Sequence, residues 1–80
     1  MARVMLFGPL RDLAGWRERS FDGAADLDAL MTLIGQACPD LKQALRGPGV
    51  QVAVDKALVR GPCPLQAQSE VAFLPPMSGG

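Results

Sequence analysis

The last apolar run of the chain, Val71 to Leu74, is followed directly by two prolines. Valine and phenylalanine in a short apolar run favour a buried β-strand. Pro75 and Pro76 lack a backbone N–H, so neither can donate to a sheet ladder, and each holds the preceding residue in extended geometry. The sequence therefore predicts a strand that ends sharply and a chain that leaves the sheet in a restricted direction.

Four residues follow the prolines: Met77, Ser78, Gly79 and Gly80. Four extended residues span about 13 Å, which is enough to thread a narrow channel in another protein. Glycine has no Cβ, so a partner can approach the diglycine backbone closely. We predict a folded domain at residues 1–76 and a flexible tail at 77–80, whose reactive group is the α-carboxylate of Gly80. The alternative is a frayed chain end without a function.

The composition fits one small globular domain. The chain has 80 residues, of which 49% are hydrophobic, and its eight basic residues balance eight acidic ones. This balance gives no excess of positive charge that would indicate binding to nucleic acid or to an anionic membrane surface. No apolar run reaches the length of a membrane span, and the first residues lack the pattern of a signal peptide. We expect a cytoplasmic protein.

The residue types offer little catalytic chemistry. Cys38 and Cys63 are too few and too far apart for a zinc site, and in a reducing compartment we expect free thiols. The chain contains no histidine, the commonest general base. We predict no metal site and no tightly bound cofactor. If the chain takes part in a reaction, a partner must supply most of the catalytic groups.

The pattern along the chain predicts an α+β domain. Strands are expected at 2–7, 16–21, 50–54, 57–59 and 71–74, with short helical turns at 10–15 and 41–46. Asp26 is a suitable N-cap for one main helix. Its apolar residues recur at helical spacing and are expected to pack in the core: Leu27, Leu30, Met31, Ile34 and Cys38.

A family resemblance is carried by the segment from Glu70 to Gly80, which reads EVAFLPPMSGG. This segment resembles the C-terminus of the small-subunit family of molybdopterin synthase, which are ubiquitin-like sulfur carriers. The resemblance covers nearly the whole chain. It implies a β-grasp fold, in which a mixed sheet of four to five strands carries one main helix on one face and the final strand returns beside the first.

The resemblance also implies a reaction cycle. An E1-like adenylyltransferase would use ATP to adenylate the Gly80 carboxylate, and a sulfur donor of the desulfurase or rhodanese type would convert it to a thiocarboxylate. The large subunit of molybdopterin synthase would then use this sulfur on cyclic pyranopterin monophosphate. Met77, Ser78 and Gly79 would occupy the partner's channel. The chain would not be catalytic alone.

Partner contacts are expected around the exit of the last strand. By resemblance they are Phe7, Arg11, Leu58 and Leu74. Pro75 and Pro76 are added because they restrict the direction of the tail before it binds. Alternation places Val71 and Phe73 on one face of the last strand and Leu74 on the other. If the first and last strands are neighbours, Met5, Phe7 and Leu74 form an apolar outer patch that Leu58 can join, with ordinary surface exposure as the alternative. For Arg11 the alternative is a solvated surface arginine.

Other functions share the same tail. One is the related sulfur carrier for thiazole synthesis, which uses a different acceptor. Another is a ubiquitin-like modifier that conjugates Gly80 to lysines, and a third is a binding module with an inert tail. The extra turn at 41–46 and the approach Phe73-Leu74-Pro75-Pro76 fit the molybdopterin family better than the thiazole family.

Overall fold

Five strands and three helices form the described part of the chain, residues 1–76 of a computed structural model. In chain order they are β1 (Ala2–Leu6), α1 (Pro9–Ala14), β2 (Glu18–Phe21), α2 (Leu27–Ala37), α3 (Pro39–Ala44), β3 (Gln51–Val54), β4 (Ala57–Val59) and β5 (Glu70–Leu74). The predictions for Met77, Ser78, Gly79 and Gly80 lie outside the described residues.

The five strands form one mixed sheet in the order β2-β1-β5-β3-β4. β1 pairs antiparallel with β2 and parallel with β5, while β3 pairs antiparallel with both β5 and β4. The last strand therefore returns beside the first. This arrangement confirms the predicted β-grasp fold, with α2 as its longest helix.

The core lies between the helices and the inner face of the sheet. Val71 and Phe73 of β5 are fully buried, and so are Leu30 and Ile34 of α2. Phe73 is the largest of the fully buried side chains. The alternation read from the sequence is therefore correct, and β5 contributes its valine and phenylalanine to the interior.

Helix α2 begins as predicted. The Asp26 backbone is extended, and its carboxylate accepts a hydrogen bond of 2.8 Å from the Ala29 N–H, so it satisfies one of the free donors in the first turn. The helix ends at Ala37, and α3 then begins directly at Pro39. The predicted turn at 41–46 is thus a helix that starts two residues earlier, because proline is well suited to a first helical position.

The predicted boundaries of the first hairpin are slightly too wide. β1 ends one residue before Phe7, and β2 begins at Glu18 rather than at Trp16. The indole N–H of Trp16 points towards the end of α2, where it lies 3.3 Å from the Sγ of Cys38. Trp16 thus packs against the core instead of extending the edge strand. No helix within residues 1–76 has the length and apolar character needed to cross a lipid bilayer.

Replacing a buried or an exposed phenylalanine by alanine should lower the free energy of unfolding by different amounts. Phe73 is fully buried, whereas Phe7 is 45% exposed. Phe73→Ala should lower the free energy of unfolding by about 3–5 kcal/mol, because it removes buried apolar area and leaves a cavity. Phe7→Ala should cost less than about 1 kcal/mol. Urea unfolding of the two variants measures the difference, and equal losses would contradict the assignment of the faces.

Candidate functional site

The end of β5 lies at the centre of the sheet. On one side the parallel register pairs Phe73 with Leu6, and on the other the antiparallel register pairs Leu74 with Gln51. The chain therefore leaves the sheet between the end of β1 and the start of β3. Residues that flank both of those strand ends are placed next to the exit.

Two glycines lie against the two prolines at this exit. Gly8 has φ 58°, and a Cβ built on it would lie 3.1 Å from the Cγ of Pro75. Gly49 has φ 83°, and a Cβ built on it would lie 2.8 Å from the Cβ of Pro76. The sequence alone predicts only that Gly8 ends the first strand and that Gly49 follows the end of the turn at 41–46. Extending the strand register past the ends of β1 and β3 would have placed them here.

An apolar row crosses the outer face of the sheet. Met5 pairs with Ala72, Ala72 with Ala53, and Ala53 with Leu58. Because cross-strand partners share a face, these four side chains lie side by side across β1, β5, β3 and β4. Leu58 is 63% exposed.

A second row lies closer to the exit. Leu74 is on the same face, two residues after Ala72, and it is half-buried. Phe7 follows β1 directly and is one of the exposed large apolar side chains. We call the whole set the outer patch, and its members are Met5, Phe7, Ala53, Leu58, Ala72 and Leu74. The structure thus brings together the apolar residues expected around the last strand, while their role in partner binding remains a prediction.

Ion pairs border the outer patch on the side away from the exit. The guanidinium of Arg3 donates a hydrogen bond of 3.0 Å to the Glu70 carboxylate and lies 3.5 Å from Glu18. Arg3 and Glu70 are cross-strand partners, in the row adjacent to Met5 and Ala72. These side chains are partly exposed, so the pairs contribute little stability. They set the polar limit of the apolar surface.

Arg11 lies on α1, the short helix that follows β1. The helix is anchored by Leu10, which is buried, and it ends at Gly15 in a left-handed conformation. The Arg11 side chain is half exposed, and its Nε is 4.0 Å from a carboxylate oxygen of the adjacent Asp12. It is therefore accessible to a partner, and the predicted contact with a partner acid stays a prediction.

A groove of about 940 Å³ opens between α2 and the strands β3 and β4. Its apolar wall includes Met31, Val52 and Val59, and the ion pair between Asp28 and Arg46, 3.0 Å long, lies on its border. The sequence does not predict this groove, because its lining comes from several separate segments of the chain. Among residues 1–76, no group of three or more cysteines or carboxylates is placed to hold a metal ion.

The sequence matches the ThiS family over residues 4–80. No curated protein sequence gives a significant match. Among solved structures, the chain is similar to SAMP1 from Haloferax volcanii, with a TM-score of 0.83, 25% sequence identity, and coverage of 99% of this chain and 98% of that chain.

Two further structures are similar over almost the full length. Small archaeal modifier protein 1 from Methanosarcina acetivorans has a TM-score of 0.86 and 23% identity, covering 99% of this chain and 95% of that one. A complex of subunits 1 and 2 of the molybdopterin-converting factor from Helicobacter pylori matches with a TM-score of 0.71 and 29% identity, covering 99% of this chain and 97% of that one.

Proposed function

Because the chain belongs to the ThiS family of ubiquitin-like sulfur carriers, we propose that it carries sulfur on Gly80 for the synthesis of molybdopterin. The sulfur is held as a C-terminal thiocarboxylate and is donated to cyclic pyranopterin monophosphate. The observation that carries this proposal is the exit of β5 from the centre of the sheet, beside the outer patch. A chain that leaves there can enter a partner while the patch binds the partner's surface.

The proposed chemistry explains why the carrier needs an activating enzyme. A carboxylate resists nucleophilic attack, so an E1-like adenylyltransferase first joins it to AMP from ATP, releasing pyrophosphate. The terminal persulfide sulfur of a desulfurase or rhodanese-type donor then displaces AMP and forms an acyl disulfide with Gly80. A thiol of the enzymes cleaves the S–S bond of this acyl disulfide, which leaves the thiocarboxylate and a disulfide. After sulfur transfer, the Gly80 carboxylate is regenerated. The partners supply the base and the oxyanion stabilisation, since this chain contains no histidine.

The proposed acceptor enzyme is the large subunit of a molybdopterin synthase. Support comes from the similar Helicobacter pylori structure, in which subunit 1 of the molybdopterin-converting factor is in complex with subunit 2. On this chain we assign the contact to Phe7, Leu58 and Leu74, with Arg11 and the two prolines beside them. We also place the cycle in the cytoplasm, where the two cysteines, free in the structure, remain reduced.

A second candidate function follows from the two modifier proteins. Their TM-scores, 0.83 and 0.86, exceed the 0.71 of the molybdopterin-converting factor, although the latter has the higher sequence identity. The candidate is a ubiquitin-like modifier, which also activates Gly80 but transfers the carbonyl to a lysine amine. The acceptor distinguishes the two functions: a carrier gives up sulfur and is released, whereas a modifier remains attached through an isopeptide bond.

The position of the terminal carboxylate is the first test. Deleting Gly80, or adding one alanine after it, should abolish thiocarboxylate formation by the activating enzyme, ATP and a sulfur source, because the reacting carbon no longer occupies the terminus of the diglycine. The free energy of unfolding measured in urea should be unchanged, since both changes lie after residues 1–76, which form the folded domain. Full activity of the extended chain, with the added residue still present by mass spectrometry, would contradict the proposal.

The outer patch gives the second test. Phe7→Glu and Leu74→Glu should each weaken binding to the large subunit by more than about 1 kcal/mol, because a charge is placed in an apolar contact. The matched control is Leu13→Glu, which changes a residue 48% exposed on α1, compared with 45% for Phe7.

Isothermal titration calorimetry with the large subunit measures the affinities of the three variants and of the parent chain. The control should bind like the parent chain. Equal weakening by the control, or no weakening by the two patch variants, would show that the patch does not form the contact.

A further inference from the structure

The two prolines of the exit continue the strand register without hydrogen bonds. Extending the parallel register of β1 and β5 places Gly8 opposite Pro75. Extending the antiparallel register of β3 and β5 places Gly49 opposite Pro76. Proline has no N–H to donate to the ladder, and here the rings of Pro75 and Pro76 contact the two glycines instead. Each proline ring lies so close to its cross-strand neighbour that a Cβ on that neighbour would be 3.1 Å (Gly8) or 2.8 Å (Gly49) from the nearest ring atom.

The contact at Gly49 is the closer one. A Cβ on this residue would lie 2.8 Å from the Cβ of Pro76 and 3.2 Å from its Cγ. Contacts below about 3 Å are well inside the optimal carbon–carbon separation of about 3.5–4.0 Å, so either the backbone of residue 49 or Pro76 would have to shift. Glycine at position 49 is thus favoured by its φ of 83°, and the closeness of the ring leaves no room for a Cβ without a shift.

Among the glycines of residues 1–76 that have a positive φ, a Cβ would meet other atoms within 4 Å only at the two exit positions, Gly8 and Gly49. Gly61 and Gly23 also have positive φ values, 79° and 89°, yet a Cβ on either would meet nothing within 4 Å. At those positions only the backbone conformation favours glycine. At Gly49 the same conformation is combined with a direct contact to the last described residue before the tail.

We infer that Gly49 is a positioning residue for the C-terminal tail: it lets Pro76 lie against the chain entering β3 and so sets the direction in which residues 77–80 leave the domain. Gly8 supports Pro75 from the opposite side. The inference rests on the proposed function, because the direction of the tail matters only if Gly80 must reach the active site of a partner.

The effect of losing this contact can be expressed as a population. If only a fraction of the carrier directs its tail productively, the apparent dissociation constant rises by the inverse of that fraction. The chemical step is less affected, because once bound, the Gly80 atoms and the catalytic groups of the partner are unchanged. A positioning role therefore predicts a higher KM for the carrier with a nearly constant kcat.

The test compares Gly49→Ala with Gly61→Ala in the full chain. Both variants place alanine at a positive φ, and Gly49→Ala adds the contact with Pro76, so Gly49→Ala should lose at least as much thermal stability as Gly61→Ala. The rate of adenylation by the E1-like adenylyltransferase is measured as ATP–pyrophosphate exchange at increasing concentrations of the carrier. Gly49→Ala should raise KM by about fivefold or more with kcat changed less than about twofold, whereas Gly61→Ala should leave both constants near those of the parent chain.

A second set of variants separates contact from backbone strain. Pro76→Gly removes the Cβ and Cγ, the two closest atoms that a Cβ at position 49 would meet, and it leaves residue 49 unstrained. It should raise KM by itself, since the contact is lost. Adding Gly49→Ala to Pro76→Gly should then raise KM no further than Gly61→Ala does.

The outcomes distinguish this inference from the proposed function. If the parent chain supports exchange but Gly49→Ala and Gly61→Ala have equal KM values, or if Pro76→Gly matches the parent, Gly49 has no positioning role and the carrier proposal stands. The positive control is exchange by the same adenylyltransferase with its cognate carrier. If that control is active and the parent chain supports no exchange, the proposed function is wrong and the inference fails with it.

Discussion

The parallel pairing of β5 with β1 is the interaction on which the rest of the structure depends. It inserts the last strand between β1 and β3, so the chain ends its sheet at the centre rather than at an edge. The strand is hydrogen-bonded on both sides, and its inner residues Val71 and Phe73 are fully buried. The root of the tail is therefore attached to one of the best anchored segments of the domain, and the two prolines end the pairing abruptly.

The same strand separates stability from recognition. Phe73 points into the core and Leu74, the next residue, lies on the outer face. Because the side chains of a strand alternate, one short segment fills the interior and also contributes to an apolar surface beside the exit. The ion pairs of Arg3 confine that surface on the opposite side. A partner that covers the outer patch would thus be placed next to the emerging chain.

Local sequence signals predicted the elements well. The alternation of Val71 and Phe73 with Leu74 gave the correct faces, and Asp26 marked the start of α2, because strand periodicity and helix capping depend on neighbours in the sequence. The β-grasp topology came from the family resemblance, since periodicity does not specify which strands pair.

Nonlocal contacts were the part that the sequence did not reveal. The contacts of Gly8 with Pro75 and of Gly49 with Pro76 join residues far apart in the chain, and they become visible only when the strand register is known. The sequence pattern predicts Trp16 at the start of a strand. Its packing against Cys38 depends on where α2 ends, which the local pattern around Trp16 does not specify. The expected roles of Phe7, Arg11 and the tail residues remain predictions about partners.

The central claim concerns Gly80, and it is tested most directly by the intact mass of the untagged chain purified from its own cells. The account predicts a species in which one sulfur replaces one oxygen, located in the C-terminal peptide and lost after incubation with the large subunit and cyclic pyranopterin monophosphate. A chain found only as the carboxylate, or attached to lysines of other proteins, would contradict it.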